Sequence, residues 1–253
     1  MNSVSVRVLL VRGMLAGLAA GLLAFGLAYL IGEPGVNAGI AYEDAHTHDQ
    51  GMELVSRAAQ STTGLATAVL VFGTAVGGIA ALAFCFALGR VGRFGARATA
   101  LLVASGAFVT VYLVPFLKYP ANPPGSSDSD TIGKRTTLYV GMIALTVLVA
   151  LGAVILGRRL AERLSNWNAA VAATTAFIAL IAVAMAFLPA VDETPKDFPA
   201  TVLWQFRLAS LGIQALLWAS FGVVFGLLAE RVLSPYPARP AQAATAPGAP
   251  TAA

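Results

Sequence analysis

GMLAGLAAGLLAFGLAYLI, residues 13–31, holds no charged side chain. About 20 mostly apolar residues are what a helix needs to cross a hydrocarbon core. Backbone groups there must bond within their own segment, so the run reads as a membrane-spanning helix. Its glycines, Gly13, Gly17 and Gly21, recur every four residues, and Gly73 and Gly77 repeat the spacing downstream. Such spacing lets helix backbones approach closely, within the bundle or against another membrane helix. Working outward, five more charge-free runs follow at 62–88, 98–117, 138–157, 169–188 and 208–228. No period-two alternation supports a membrane barrel. The fold class read from this is all-α: a polytopic membrane bundle of six spans over residues 1–234. Residues 235–253, rich in Pro and Ala, are expected to be a disordered tail.

Composition supports the same class. Charged residues make up 11% of the chain and hydrophobic ones 58%, whereas soluble domains carry about 25% charged residues. Mean hydropathy is +0.78. The net charge of +4 is spread over short basic stretches, which argues against a nucleic-acid partner. The single cysteine, Cys85, lies in an apolar run, so no internal disulfide or CxxC site is possible. Arg7 and Arg12 precede the first span as in a signal peptide. That span exceeds the roughly 7–15 residues of a signal's apolar region, and Glu33-Pro34 closes it without a cleavage site. It reads as a retained helix; cleavage would leave five spans.

With the N-terminus inside, the inner segments hold ten basic residues, among them Arg90, Arg93, Arg97, Arg158, Arg159 and Arg163. The outer segments hold six: Arg57, Lys118, Lys134, Arg135, Lys196 and Arg207. The positive-inside rule then places both termini in the cytoplasm, in a bacterial inner membrane. The long connections, 32–61, 118–137 and 189–207, fall outside and carry ten of the twelve acids. The chain divides into three hairpins with weak mutual likeness, as in transporters built from repeated helix pairs.

Chemistry concentrates in YEDAHTHDQGME, residues 42–53, which holds both histidines. His46 and His48 form an H-x-H pair, with Glu43, Asp44 and Asp49 around them and Glu33 upstream in the same connection. Imidazole with carboxylates suits cobalt, nickel or zinc. These six residues are the candidate metal ligands; a solvated polar loop is the alternative. In the second connection Asn122, Asp128 and Asp130 are oxygen donors, and Tyr112 and Tyr119 fit an interfacial belt. Asp192, Glu193 and Asp197 of the third connection would complete an acidic vestibule if the three connections are neighbours.

The spans contain no Asp, Glu, Lys, Arg or His, which argues against a self-sufficient ion-coupled pump. No P-loop and no HExxH motif occurs, and no nucleophile–base pair is visible, so the chain is not expected to be an enzyme. Scattered polar residues within spans, such as Thr74, Thr110, Thr146, Gln214 and Ser220, read as packing. A passive path, or one completed by a partner, remains. The competing class is a non-transporting scaffold that binds a partner helix through its glycine faces.

Several stretches carry a family likeness: RGMLAGLAAGLLAF, GEPGVNAGIAYEDAH, ELVSRAAQSTTGL, YLVPFLKYPANPPG, DTIGKRTTLY, LPAVDETPKDFPATVLWQFRLASLG and GLLAER. From about Arg12 to Arg231 the chain resembles the CbtA family of predicted cobalt transporter subunits. The resemblance implies a role in Co²⁺ uptake tied to cobalamin synthesis, with the metal as transported substrate and no cofactor. It also implies a partner, a small single-span CbtB-type subunit with histidines. That family is described with five spans, one fewer than counted here.

Overall fold

The computed structural model describes residues 3–46, 55–127, 131–191 and 194–233. The expected tail, together with His48, Asp49, Glu53, Asp128, Asp130, Asp192 and Glu193, lies outside them. Among the described residues all regular structure is helical, in the order α1 (Ser3–Leu27), α2 (Glu33–His46), α3 (Arg57–Ala59), α4 (Leu65–Ala87), α5 (Ala96–Ala107), α6 (Val114–Lys118), α7 (Ile132–Ala161), α8 (Asn166–Phe187) and α9 (Ala200–Leu233). Six continuous helical stretches are long and apolar enough to cross a membrane.

Three π-helical turns join helices without breaking them: Ala28–Gly32, Gln60–Gly64 and Phe108–Leu113. Two of them end two residues before a proline. Pro34 and Pro115 each lack an N–H for the usual bond four residues back, and their rings crowd that carbonyl. The ladder widens instead. The Glu33 N–H bonds Ala28 O and the Val114 N–H bonds Val109 O, five residues back in each case. A π-bulge therefore carries the helix past the proline.

This corrects the reading of the first connection. Glu33-Pro34 does not end the first helix, which runs on through α2 to His46. Residues 42–46 of the polar stretch are thus helical. Helices also begin earlier than the apolar runs: α3 at Arg57, α7 at Ile132 and α9 at Ala200. Leaving the hydrocarbon ends an apolar run, but a helix goes on wherever its residues tolerate it.

The main core lies where α1, α4, α5 and α9 meet. Leu9, Ala16, Ala20 and Ala24 of α1 are fully buried, as are Ala81 and Phe84 of α4 and Phe225 of α9. Phe84 meets Phe225 edge-on, with ring centroids 5.1 Å apart. The glycines of α1 face those of α4 across this core. A Cβ built on Gly17 falls 2.1 Å from Gly73 O, and one on Gly77 falls 2.4 Å from Gly13 O. The glycine faces of α1 and α4 are thus packed against each other within the chain. At the end away from His46, Arg12 Nη1 donates to Leu228 O at 2.6 Å, tying α1 to α9.

A second, smaller core joins α6, α7 and α8 through Val114, Tyr119, Met142 and Ile181. Helix α8 packs on α7, and α9 packs on α1 and α5. The sequence likeness among the hairpins is not matched by like packing. The hydroxyls of Thr74, Thr110, Thr146 and Ser220 donate to carbonyls four residues back in their own helices. They satisfy their own backbone, in keeping with the packing role expected of them.

Candidate functional site

One end of the bundle gathers the three connections that the sequence separates. Helix α2 carries Glu33, Asn37, Tyr42, Glu43, Asp44 and His46 out to this end. The chain returns through Arg57, whose Nε donates to Asn37 Oδ1 at 3.0 Å and whose Nη2 ion-pairs with Glu33. Ser56 caps the returning helix by accepting from the Ala59 N–H. Arg57 thus staples both sides of the polar loop to each other.

The second connection packs against α2. Gly125 adopts φ +71°, and a Cβ there would lie 2.8 Å from Gly39 O and 2.7 Å from the Cβ of Glu43. Both the left-handed backbone and the close approach require glycine. With Pro120, Pro123 and Pro124 this connection is poor in N–H donors and rich in carbonyls. Arginines supply what is missing. Arg135 donates to Pro120 O at 2.8 Å and to Ser127 Oγ at 3.0 Å. Arg207 donates to Ala121 O at 3.3 Å and to Asn122 Oδ1 at 2.9 Å. Asn122, expected as a cation-facing donor, therefore spends its oxygen on a guanidinium.

The third connection closes on the first. His46 Nε2 lies 3.3 Å from Asp197 Oδ2, while Nδ1 lies 2.8 Å from Tyr42 O. Tyr42 stacks on His46 with centroids 4.1 Å apart and meets Phe198 at 4.8 Å. Phe198 is buried and holds the third connection in place. Asp197 is exposed, yet its carboxyl titrates below the usual aspartate range. The largest cause is a hydrogen bond from the Tyr42 hydroxyl; its own backbone N–H and the charge of His46 add to it. A depressed folded pKa means that any pH-dependent support from this contact is present at neutral pH. It is lost only as pH falls through that low value. Tyr42→Phe removes the largest cause, so the Asp197 carboxyl is expected to titrate higher in that variant. An NMR titration of its carboxyl carbon that is unchanged by the substitution would contradict this account.

Of the six expected ligands, the structure places Glu43, Asp44 and His46 at the end of α2, all three exposed. Glu33 sits about three and a half turns further in and is held by Arg57. His48 and Asp49 belong to the residues not described. Among the described residues no three His, Cys, Asp or Glu side chains converge as a metal site. The partner that sequence reasoning did not single out for His46 is Asp197. Its only signal was membership of the third acidic connection.

The tyrosines expected at the membrane interface turn inward instead. Tyr119 is 3% exposed and donates to Pro189 O at 3.0 Å. The buried Tyr112 hydroxyl has no hydrogen-bond partner among protein groups. With Tyr139 and Arg135 these side chains line a chamber of about 350 Å³ beneath the second connection. The proline-rich turn folds back over the helix ends, so aromatic residues beside it meet protein rather than lipid headgroups.

Comparison with known proteins gives one finding. A family model described as "Probable cobalt transporter subunit (CbtA)" matches residues 6–230. No curated protein and no solved structure matches the chain. The match extends from the first span to the last, so the first helix, with its buried alanines, is part of the family pattern. Over nearly its whole described length the chain belongs to the CbtA family of probable cobalt transporter subunits.

Proposed function

We propose that this chain is the integral membrane subunit that passes Co²⁺ inward, taking the ion at the end of the bundle that carries His46. The observation that carries the reading is the meeting of His46 with Asp197, which brings an imidazole and a carboxylate from distant connections together. Glu43 and Asp44 lie on the last turns of the same helix as His46. His48 and Asp49 would complete a mixed nitrogen–oxygen ligand set of the kind borderline divalent ions favour. Glu33 is the proposed next acceptor along α2, exchanging its guanidinium partner for the ion. The His46 end faces outward and both termini lie in the cytoplasm, as the arginine distribution favours. A small single-span CbtB-type subunit is the proposed partner. It would supply ligands that the spans of this chain lack.

The test is uptake of labelled cobalt at trace concentration, in cells without other importers, with this chain alone and with the small subunit. His46→Ala/His48→Ala is expected to lower uptake about tenfold or more at trace metal, with unchanged membrane levels. Undiminished uptake in the double variant would remove the capture assignment; absent uptake in every setting would remove the transport reading. Parallel labelled nickel separates the two metals. In a Cys85→Ala background, His46→Cys should react with a membrane-impermeant maleimide in intact cells. Protection there, with reaction after lysis, would reverse the orientation.

A further inference from the structure

The opposite end of the bundle holds a feature that the metal reading does not use. Between the α4–α5 turn and the α7–α8 turn lies an open cavity of about 910 Å³ whose walls include Arg90, Arg93, Arg158 and Arg159. Glu162 is the one carboxylate lining it. Among the described residues the ion pairs are His46–Asp197, Arg57–Glu33 and Arg97–Glu230, and none uses these four arginines. The first turn of α8, with Asn166 in the cavity wall, adds the positive end of a helix dipole.

This basic cavity continues into an apolar one. A cleft of about 580 Å³ runs between α5 and the α7–α8 pair, and Val91, Arg158, Ala161, Asn166 and Ala170 line both. Its deeper walls are Leu102, Val109, Ala153 and Phe177. From Asn166 to Phe177 the cleft follows α8 for roughly 16 Å at 1.5 Å per residue. Helices α7 and α8 bury little of their surface within the protein, so the cleft opens sideways to whatever surrounds the bundle. Phe94, which lines the mouth, and Trp167, next to Asn166 in the chain, are both exposed, and aromatic side chains at span ends are enriched where lipid headgroups lie.

We propose that this cleft binds one anionic phospholipid, its phosphate held by Arg93, Arg158 and Arg159 and one acyl chain lying between α5 and α8. Charge complementarity selects the occupant: four guanidiniums against one carboxylate at the mouth favour an anionic headgroup. Basic interhelical pockets of this kind recognise such headgroups. The apolar continuation selects a lipid over a free phosphate, which would leave the cleft unused. The assignment does not depend on the metal reading.

The test uses the full-length protein in mild detergent and native mass spectrometry. It is titrated with phosphatidylglycerol, with phosphatidylcholine of the same acyl chains, and with glycerol phosphate alone. The wild type is expected to retain phosphatidylglycerol about tenfold more tightly than phosphatidylcholine. Arg93→Ala/Arg158→Ala/Arg159→Ala should weaken phosphatidylglycerol on the order of a hundredfold, at about fivefold per guanidinium. These side chains are exposed, so the melting temperature should hold. Gly106 lines the cleft, and a Cβ there meets nothing within 4 Å. Gly106→Leu, whose Cβ starts clear of its neighbours, therefore narrows the cleft and is expected to weaken both lipids while the charges remain. Equal retention of the two lipids by the wild type, or a preference surviving in the triple variant, would overturn the proposal. So would glycerol phosphate competing at lipid-like concentrations, or a second protein chain retained in place of lipid.

Discussion

Gly17→Leu is expected to prevent formation of the native bundle, and Gly17→Ala to weaken it severely. The Cβ at this position would lie 2.1 Å from Gly73 O and 2.9 Å from the Cα of Gly77. Both obstacles are backbone, so no side chain can swing aside; α1 and α4 must separate along their contact. That separation also loosens Ala16, Ala20 and Phe84, which share the core with α9. Overpacking typically costs about 1–3 kcal/mol, and a backbone obstacle belongs at the upper end. For a chain of this size about 3 kcal/mol corresponds to roughly 10 °C in melting temperature. Gly26→Ala is the matched control, since a Cβ there meets nothing within 4 Å. In a helix that exchange is neutral or gains up to about 1 kcal/mol. Melting curves in detergent that rank the two variants alike would refute the account of how α1 and α4 pack.

Arg57→Ala is the second large effect. The Glu33 side chain is 12% exposed and that of Arg57 29%. Without the guanidinium the carboxylate stays largely out of water with no opposite charge, and Asn37 loses its partner as well. Breaking a fully buried pair costs about 3–5 kcal/mol; partial exposure of Arg57 lowers the expectation to about 2–3 kcal/mol. Arg57→Ala/Glu33→Gln should recover part of that loss, because a neutral amide tolerates the site better than an orphaned charge. A double-mutant cycle on thermal stability measures the coupling. If the double variant is no more stable than Arg57→Ala alone, the pair does not hold the loop as described.

These two contacts differ in how much of them could be read beforehand. The four-residue glycine spacing announced a close helix contact, but not whether its partner was inside the chain. The Glu33–Arg57 pair was not legible: both residues were assigned to the first connection, as ligand and as outer charge. Its formation depends on α2 continuing past Pro34, and that depends on the π-turn at Ala28–Gly32. The membrane-interface reading of Tyr112 and Tyr119 failed for a related reason. It assumed that a tyrosine near the end of a span faces outward. The proline-rich connection, clamped by Arg135 and Arg207, folds back over them instead.

The sequence by itself determined the class of the molecule, the number of helices long and apolar enough to cross a membrane, and the family. Transfer of apolar residues out of water is close to additive along the chain, so a run of them declares itself without its neighbours. It also located the polar cluster, because charge is conspicuous against such a background. Only the tertiary structure decided that α1 pairs with α4, that Asp197 meets His46, and that four arginines surround a cleft with an apolar floor. Those relations join residues from different helices and connections. They follow from backbone approach at the glycines, from helix continuity through the prolines, and from where arginines find carbonyls to satisfy.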